Sequence, residues 1–273
     1  MHQEDNVKIF VNGLLLHPII QKLKLVDDKG ISVSAHTYDV LQVAIKLIKK
    51  KYRSLEDAQE ELDFFSMVAG VILHDSTKAT IRLNGEPTSH SVIMKHHPQY
   101  VDEEARLIIR EVEAFTKLKL SDAYKERIVH IVLSHHGQWG KVYPETREAK
   151  IVYEADKYSA TYHRITPIGA KEIVKLMCDG FKKDEIIKIL GQTPGIIDDR
   201  LKKSKNQLGV KTNRDLMNYY RKNGYVPLGD ESFSRRIYET ERLIKKVDKF
   251  GFEDLILKNP LMDYIFNEDI FVL

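Results

Sequence analysis

Phe64-Phe65-Ser66-Met67-Val68-Ala69-Gly70-Val71-Ile72-Leu73-His74-Asp75-Ser76-Thr77-Lys78 is the stretch on which the reading of this chain turns. Phe65, Val68, Ala69 and Ile72 recur at steps of three and four, the spacing of a helix that faces a core. The apolar run from Phe64 to Leu73 is interrupted by Ser66 and is too short to span a bilayer. It ends in an imidazole, a carboxylate and, three residues on, an ammonium group. Asp75 continues the apolar stripe, so the helix directs a charged group inward. An unpaired buried carboxylate costs several kcal/mol or more. Something must compensate it.

The same pattern recurs on either side. His36 shares a helical face with Val40, Val43 and Leu47; His135 follows Ile128, Ile131 and Val132; Asp156 follows Val152 and precedes Ser159. Eight of the eleven histidines lie between His36 and His136. A cation shared by these groups removes the cost of burying them and explains why four helices aim polar ends inward. The donors are imidazole nitrogen and carboxylate oxygen with no thiol, which suits one or two divalent transition ions rather than a structural zinc knot. Lone core histidines or solvated helix ends would account for any one residue, but not for the ordered set.

Helical periodicity dominates the remaining sequence, and no alternating strand series stands out. Ser54 to Asp57 reads as a capping box that starts a helix running through Leu62 to Ile72. Acidic residues from Asp102 open a helix through Phe115, where the dipole favours them. Further helices are expected from Ile128 into His135 and from Ile151 to His163. The fold class expected is all-α, with residues 1–165 as one helical domain. Residues 166–228 form a second, basic module, with 13 Lys and Arg against 7 Asp and Glu in a chain of net charge +3. Its four expected helices are Ala170–Gly180, Asp184–Leu190, Pro194–Gln207 and Asn213–Asn223. Residues 229–273 are expected to form an amphipathic helix carrying Phe233, Ile237, Leu243, Ile244 and Val247, then an apolar tail docking on a domain or a partner.

Composition is that of a globular protein, with 42% hydrophobic and 30% charged residues. Cys178 is the single cysteine, which excludes a disulfide framework. With no basic region leading into a signal-type core at the N-terminus, the cytoplasm is the expected compartment.

The series His36, His74-Asp75, His90 or His97, His135-His136, Asp156, with Lys78 after the doublet, resembles the HD superfamily of metal-dependent phosphohydrolases over roughly residues 30–165. The resemblance implies an all-α helical bundle. It further implies that His36, His74, Asp75 and Asp156 hold a first ion, and that Asp75 bridges to a second held by His90, His97, His135 or His136. Lys78 matches a phosphate-polarising lysine. Ser76-Thr77 stands where the usual motif has Ile-Gly. His90, within Ser89-His90-Ser91, resembles the helix-start histidine of the family's ribonucleases; His97-Pro98 resembles the His-Pro signature of its cyclic-dinucleotide branch. Seven residues apart, the two would share a helical face. Leu133-Ser134-His135-His136-Gly137 and Ala155-Asp156 with Ser159-Ala160 are similar to ribonuclease motifs. Trp139-Gly140 and Tyr143-Pro144 resemble a cyclic-dinucleotide phosphodiesterase loop, with Val142 in place of its glycine. Trp139 is placed either against a base or as a loop anchor.

Ala170 to Val226 resembles the four-helix LuxR/GerE helix-turn-helix, whose third helix docks in the major groove. That implies phosphate contacts from Arg200, Lys202, Lys203, Lys205, Lys211 and Arg214. Asp198 and Asp199 oppose this, and a protein-interaction module is the alternative.

The expected function is a divalent-metal phosphodiesterase or phosphatase acting on a nucleotide or nucleic acid, with metal-activated water as nucleophile. Mn, Fe, Mg, Ni, Co and Zn are all compatible ions. The alternative is a regulator in which the metal domain senses a nucleotide and the basic module binds DNA or a protein. Partners expected are a phosphate-containing small molecule or RNA or DNA and no membrane, with a homo-oligomer left open.

Overall fold

The computed structural model describes residues 3–28, 31–80, 82–83, 86–163, 170–224, 226, 231–265 and 269–272. Fifteen α-helices account for most of these residues, and the fold is all-α. The chain divides into two compact units, one made of Met1–Ile165 with Glu241–Leu273, the other of Thr166–Thr240. The divisions expected at 165–166 and 228–229 lie outside the described residues.

In the first unit the helices run α1 (Gln3–Leu16), α2 (Pro18–Lys22), α3 (Val33–Lys51), α4 (Leu55–Gln59), α5 (Phe64–Leu73), α6 (His90–His96), α7 (Pro98–Thr116), α8 (Asp122–Ser134) and α9 (Arg147–Tyr162). All ten residues of α5 are buried, and α1, α3, α8 and α9 pack around it. Burial on every side explains its almost wholly apolar composition, broken only by Ser66. Gly70 permits a close approach. A Cβ there would meet Ile131 Cγ2 on α8 at 2.6 Å. The helix expected from Ser54 to Ile72 is two helices. Asp63 breaks it, adopting an extended backbone and accepting from Ser66 N at 3.0 Å as the cap of α5.

Two features were not visible in the sequence pattern. α1 supplies Phe10, Val11, Leu14 and Leu15 to the core. Short antiparallel strands pair Arg82–Leu83 with Glu86–Pro87 and Lys119–Leu120 with Phe271–Val272. The second pairing draws in the apolar tail: Phe271 lies 5.6 Å from Phe10 and 6.0 Å from Phe65, ring to ring. The tail therefore docks on the first unit. Leu243, near the middle of the helix Glu231–Phe250 (α14), joins the same core. The side chains of Phe233 and Ile237 lie outside the described residues. Among the described residues no helix is long and apolar enough to cross a membrane.

The second unit has its own core of Ala170, Ile173, Val174, Ile186, Ile197, Leu201, Leu216 and Val226. Its helices are α10 (Ala170–Cys178), α11 (Lys183–Leu190), α12 (Pro194–Leu208) and α13 (Asn213–Asn223). Gly191, Gly209 and Gly224 close three of them in the left-handed conformation that glycine adopts at least cost.

Candidate metal centre

Helix ends build the centre. At the C-terminus of α5 the last carbonyls lack intrahelical partners. His74 gives Nδ1–H to one of them, Val71 O, at 2.6 Å. α8 ends in the same way, with His135 Nδ1 2.6 Å from Val132 O. When either ring is neutral, the bond to a carbonyl leaves the lone pair on Nε2. His36 lies in the first turns of α3, whose packing on α9 brings its Nε2 to 2.8 Å from Asp156 Oδ1 and its Nδ1 to 3.0 Å from Ser159 Oγ. His90 opens α6, with Nδ1 2.7 Å from Thr77 Oγ1.

These side chains form two groups, His36 with His74 and Asp156, and His90 with His135 and His136. In each, one potential ligand atom per residue lies within 4.8 Å of the others. Asp75 lies between them. Its Oδ2 is 3.3 Å from His74 Nε2 and 3.7 Å from His36 Nε2, and its Oδ1 is 3.3 Å from His90 Nε2 and 3.9 Å from His135 Nε2. Lys78 Nζ contacts Asp75 Oδ2 and Asp28 Oδ2, each at 2.6 Å. His90, His136, Lys78, Asp28, Ser89 and Ser91 line one cleft of about 410 Å³.

The electrostatics suit cation ligation. Burial pushes His90 down to about 3 and holds His135 well below, and His136 below, the ordinary imidazole value. These three rings are neutral near pH 7, the state in which imidazole ligates. Burial also opposes charge on His74, but the Asp75 and Asp156 carboxylates outweigh it and raise its pKa. Against the same burial, Lys78 and His74 hold Asp75 well below the carboxylate range, and His36 does so for Asp156. His74 Nε2 is buried without completing a hydrogen bond. A buried ring nitrogen aimed among carboxylates, where a divalent ion would take the place of a proton, fits such an ion as its missing partner.

His97 is not brought to the centre. Pro98 disfavours helical backbone at the residue before it, and His97 leaves the helix at φ −136°. The shared face expected for His90 and His97 therefore does not form. Its ring lies near His96 and Tyr100 instead. Trp139 is exposed. Of the basic side chains in the second unit, Lys202, Lys211 and Arg214 are exposed and Lys203 and Lys205 half-buried. Arg200 is only 7% exposed, which removes it from a phosphate-facing surface. Lys183 pairs with Asp198 at 2.7 Å and Lys203 with Asp199 at 3.1 Å.

Sequence reasoning passed over Asp28 and Thr77 as partners of Lys78 and His90. Asp28 precedes α3 in a segment without periodicity, and only its position beside the motif in space reveals it.

No curated protein and no solved structure matches the chain. The stretch from residue 33 to residue 161 matches the family model described as HD domain, and that stretch holds both groups and Asp75.

Proposed function

We propose that the protein is a divalent-metal-dependent phosphohydrolase acting on a phosphodiester or phosphomonoester of a nucleotide or nucleic acid. The observation that carries this reading is Asp75, one carboxylate with an oxygen toward each of two potential ligand groups. His36, His74 and Asp156 would hold one ion, His90, His135 and His136 a second, and Asp75 would bridge them. Such ions, when bound, lower the pKa of a water toward neutrality and withdraw charge from a phosphoryl oxygen. His74 and His135, locked by backbone carbonyls, keep their Nε2 atoms aimed without reorganisation. Lys78, held by Asp28 at the wall of the cleft, places a positive charge where a phosphoryl group would gain negative charge. The cleft volume of about 410 Å³ lies within the ~300–1,000 Å³ range of small-molecule sites.

The test is a metal-by-substrate panel with purified protein. Mn²⁺-dependent hydrolysis of nucleotide or RNA phosphoesters is expected, abolished by Asp75→Ala. An absence of bound transition ion together with no turnover across the panel would sink the reading.

The second reading, a nucleotide sensor whose basic module binds nucleic acid, draws on the exposed Lys202, Lys211 and Arg214. Ion pairing of Asp198 and Asp199 with lysines lessens the repulsion these acids would exert on phosphates. Lys202→Glu with Lys203→Glu is then expected to weaken nucleic-acid binding and flatten its salt dependence.

A further inference from the structure

Each of the two histidine groups joins one ring held by a carbonyl to one ring held by a hydroxyl. His74 and His135 donate Nδ1–H to Val71 O and Val132 O. A carbonyl only accepts, so these two rings have a single tautomer when neutral. His36 and His90 meet Ser159 Oγ at 3.0 Å and Thr77 Oγ1 at 2.7 Å instead. Thr77, Ser159, His36 and His90 are all buried, which keeps water from competing for these bonds.

We propose that Thr77 and Ser159 are positioning residues, one for each group, which accept the Nδ1 protons of His90 and His36 and so present each Nε2 lone pair to a divalent cation. The proposal rests on the metal-centre reading above. A neutral imidazole carries one proton, and ligation through Nε2 requires that proton on Nδ1. The surroundings of Nε2 favour the opposite tautomer: Asp156 Oδ1 lies 2.8 Å from His36 Nε2, and Asp75 Oδ1 lies 3.3 Å from His90 Nε2. Each carboxylate draws the proton to Nε2, where it would block an ion. A hydroxyl oxygen at Nδ1 offsets that pull. It also fixes the ring plane, since each Nδ1 contact ties its ring to a different element: α9 for His36, and the turn after His74-Asp75 for His90. Thr77 stands where the motif it resembles has glycine, which offers no hydroxyl. The device at His90 therefore belongs to this chain's own sequence.

The test is Mn²⁺ titration of the full chain by calorimetry, with Thr77→Val, Ser159→Ala and Thr77→Ser. Wild-type protein is expected to take up two ions. Thr77→Val, which keeps the side-chain shape, should weaken one of them by about 10- to 100-fold, as removal of an outer partner does. Ser159→Ala should weaken the other, and Thr77→Ser should restore the first. A weakening that serine does not restore reflects packing alone and overturns the assignment for Thr77. Two ions bound with wild-type affinity by Thr77→Val and Ser159→Ala would overturn the proposal while leaving the metal-centre reading in place. Wild-type protein that binds no ion would overturn both. Should Thr77→Val fail to fold, Thr77→Ala takes its place with the same outcomes.

Discussion

The proposed hydrolytic role, as distinct from metal storage, turns on a single ammonium group. Lys78 Nζ contacts two carboxylates at 2.6 Å, one of them Asp75. Lys78→Met should leave Mn²⁺ uptake intact and lower kcat by about 10²–10³, the range seen when one transition-state donor is removed. Parallel calorimetry and steady-state kinetics check it; lost metal binding would instead make Lys78 a structural counter-ion of Asp75. A second comparison sets His90 against His97. His90→Ala should remove one ion and most activity, whereas His97→Ala should leave both, since of these two rings it is His90 that faces Asp75. Sequence reasoning identified the inward-facing residues because each ends an apolar stripe. The choice between His90 and His97 depended on where one helix stops, and Pro98 decides that through local sterics.

At the level of elements, the centre depends on helices approaching closely enough for their ends to share a space. α5 and α8 deliver His74 and His135, and Gly70 against Ile131 sets their separation. Gly70→Ala places a methyl group 2.6 Å from Ile131 Cγ2. The interface must then spread, at a cost of about 1–3 kcal/mol from overpacking. A lowered melting temperature with a reduced affinity for Mn²⁺ is expected from thermal denaturation and titration. An unchanged melting temperature would show that α8 yields without strain. This glycine was not singled out in the sequence, because a helix buried on every side gives no sign of which neighbour each position meets. The break between α4 and α5 was hidden for a related reason. Asp63 both ends one helical pattern and caps the next, and residues on both sides are apolar at compatible spacing.

At the scale of the whole chain, the first unit is assembled from two separated stretches, and its C-terminal stretch completes the core around α5. Ser121 N donates to Ile270 O at 2.9 Å, and Phe271 packs on Phe10 and Phe65. Leu261, Ile265 and Ile270 are buried as well. Each fully buried side chain of this kind contributes roughly 1.5–3 kcal/mol. Removing several at once therefore approaches the ~5–15 kcal/mol that separates a folded domain from its unfolded chain. Docking of the tail was legible as excess apolarity. Its partner strand was not, because residues 119–120 and 271–272 are too far apart for any local pattern to link them. A chain ending at residue 258 should lose the cooperative unfolding transition of the first unit and its Mn²⁺ uptake together. The second unit has a separate core of eight buried apolar residues, so helical signal from it should persist in the same sample. Circular dichroism melting with metal titration distinguishes the outcomes. Full Mn²⁺ affinity in the shortened chain would show that residues 33–161 hold the centre without the tail. Loss of all helical signal would show that the second unit does not fold without the first.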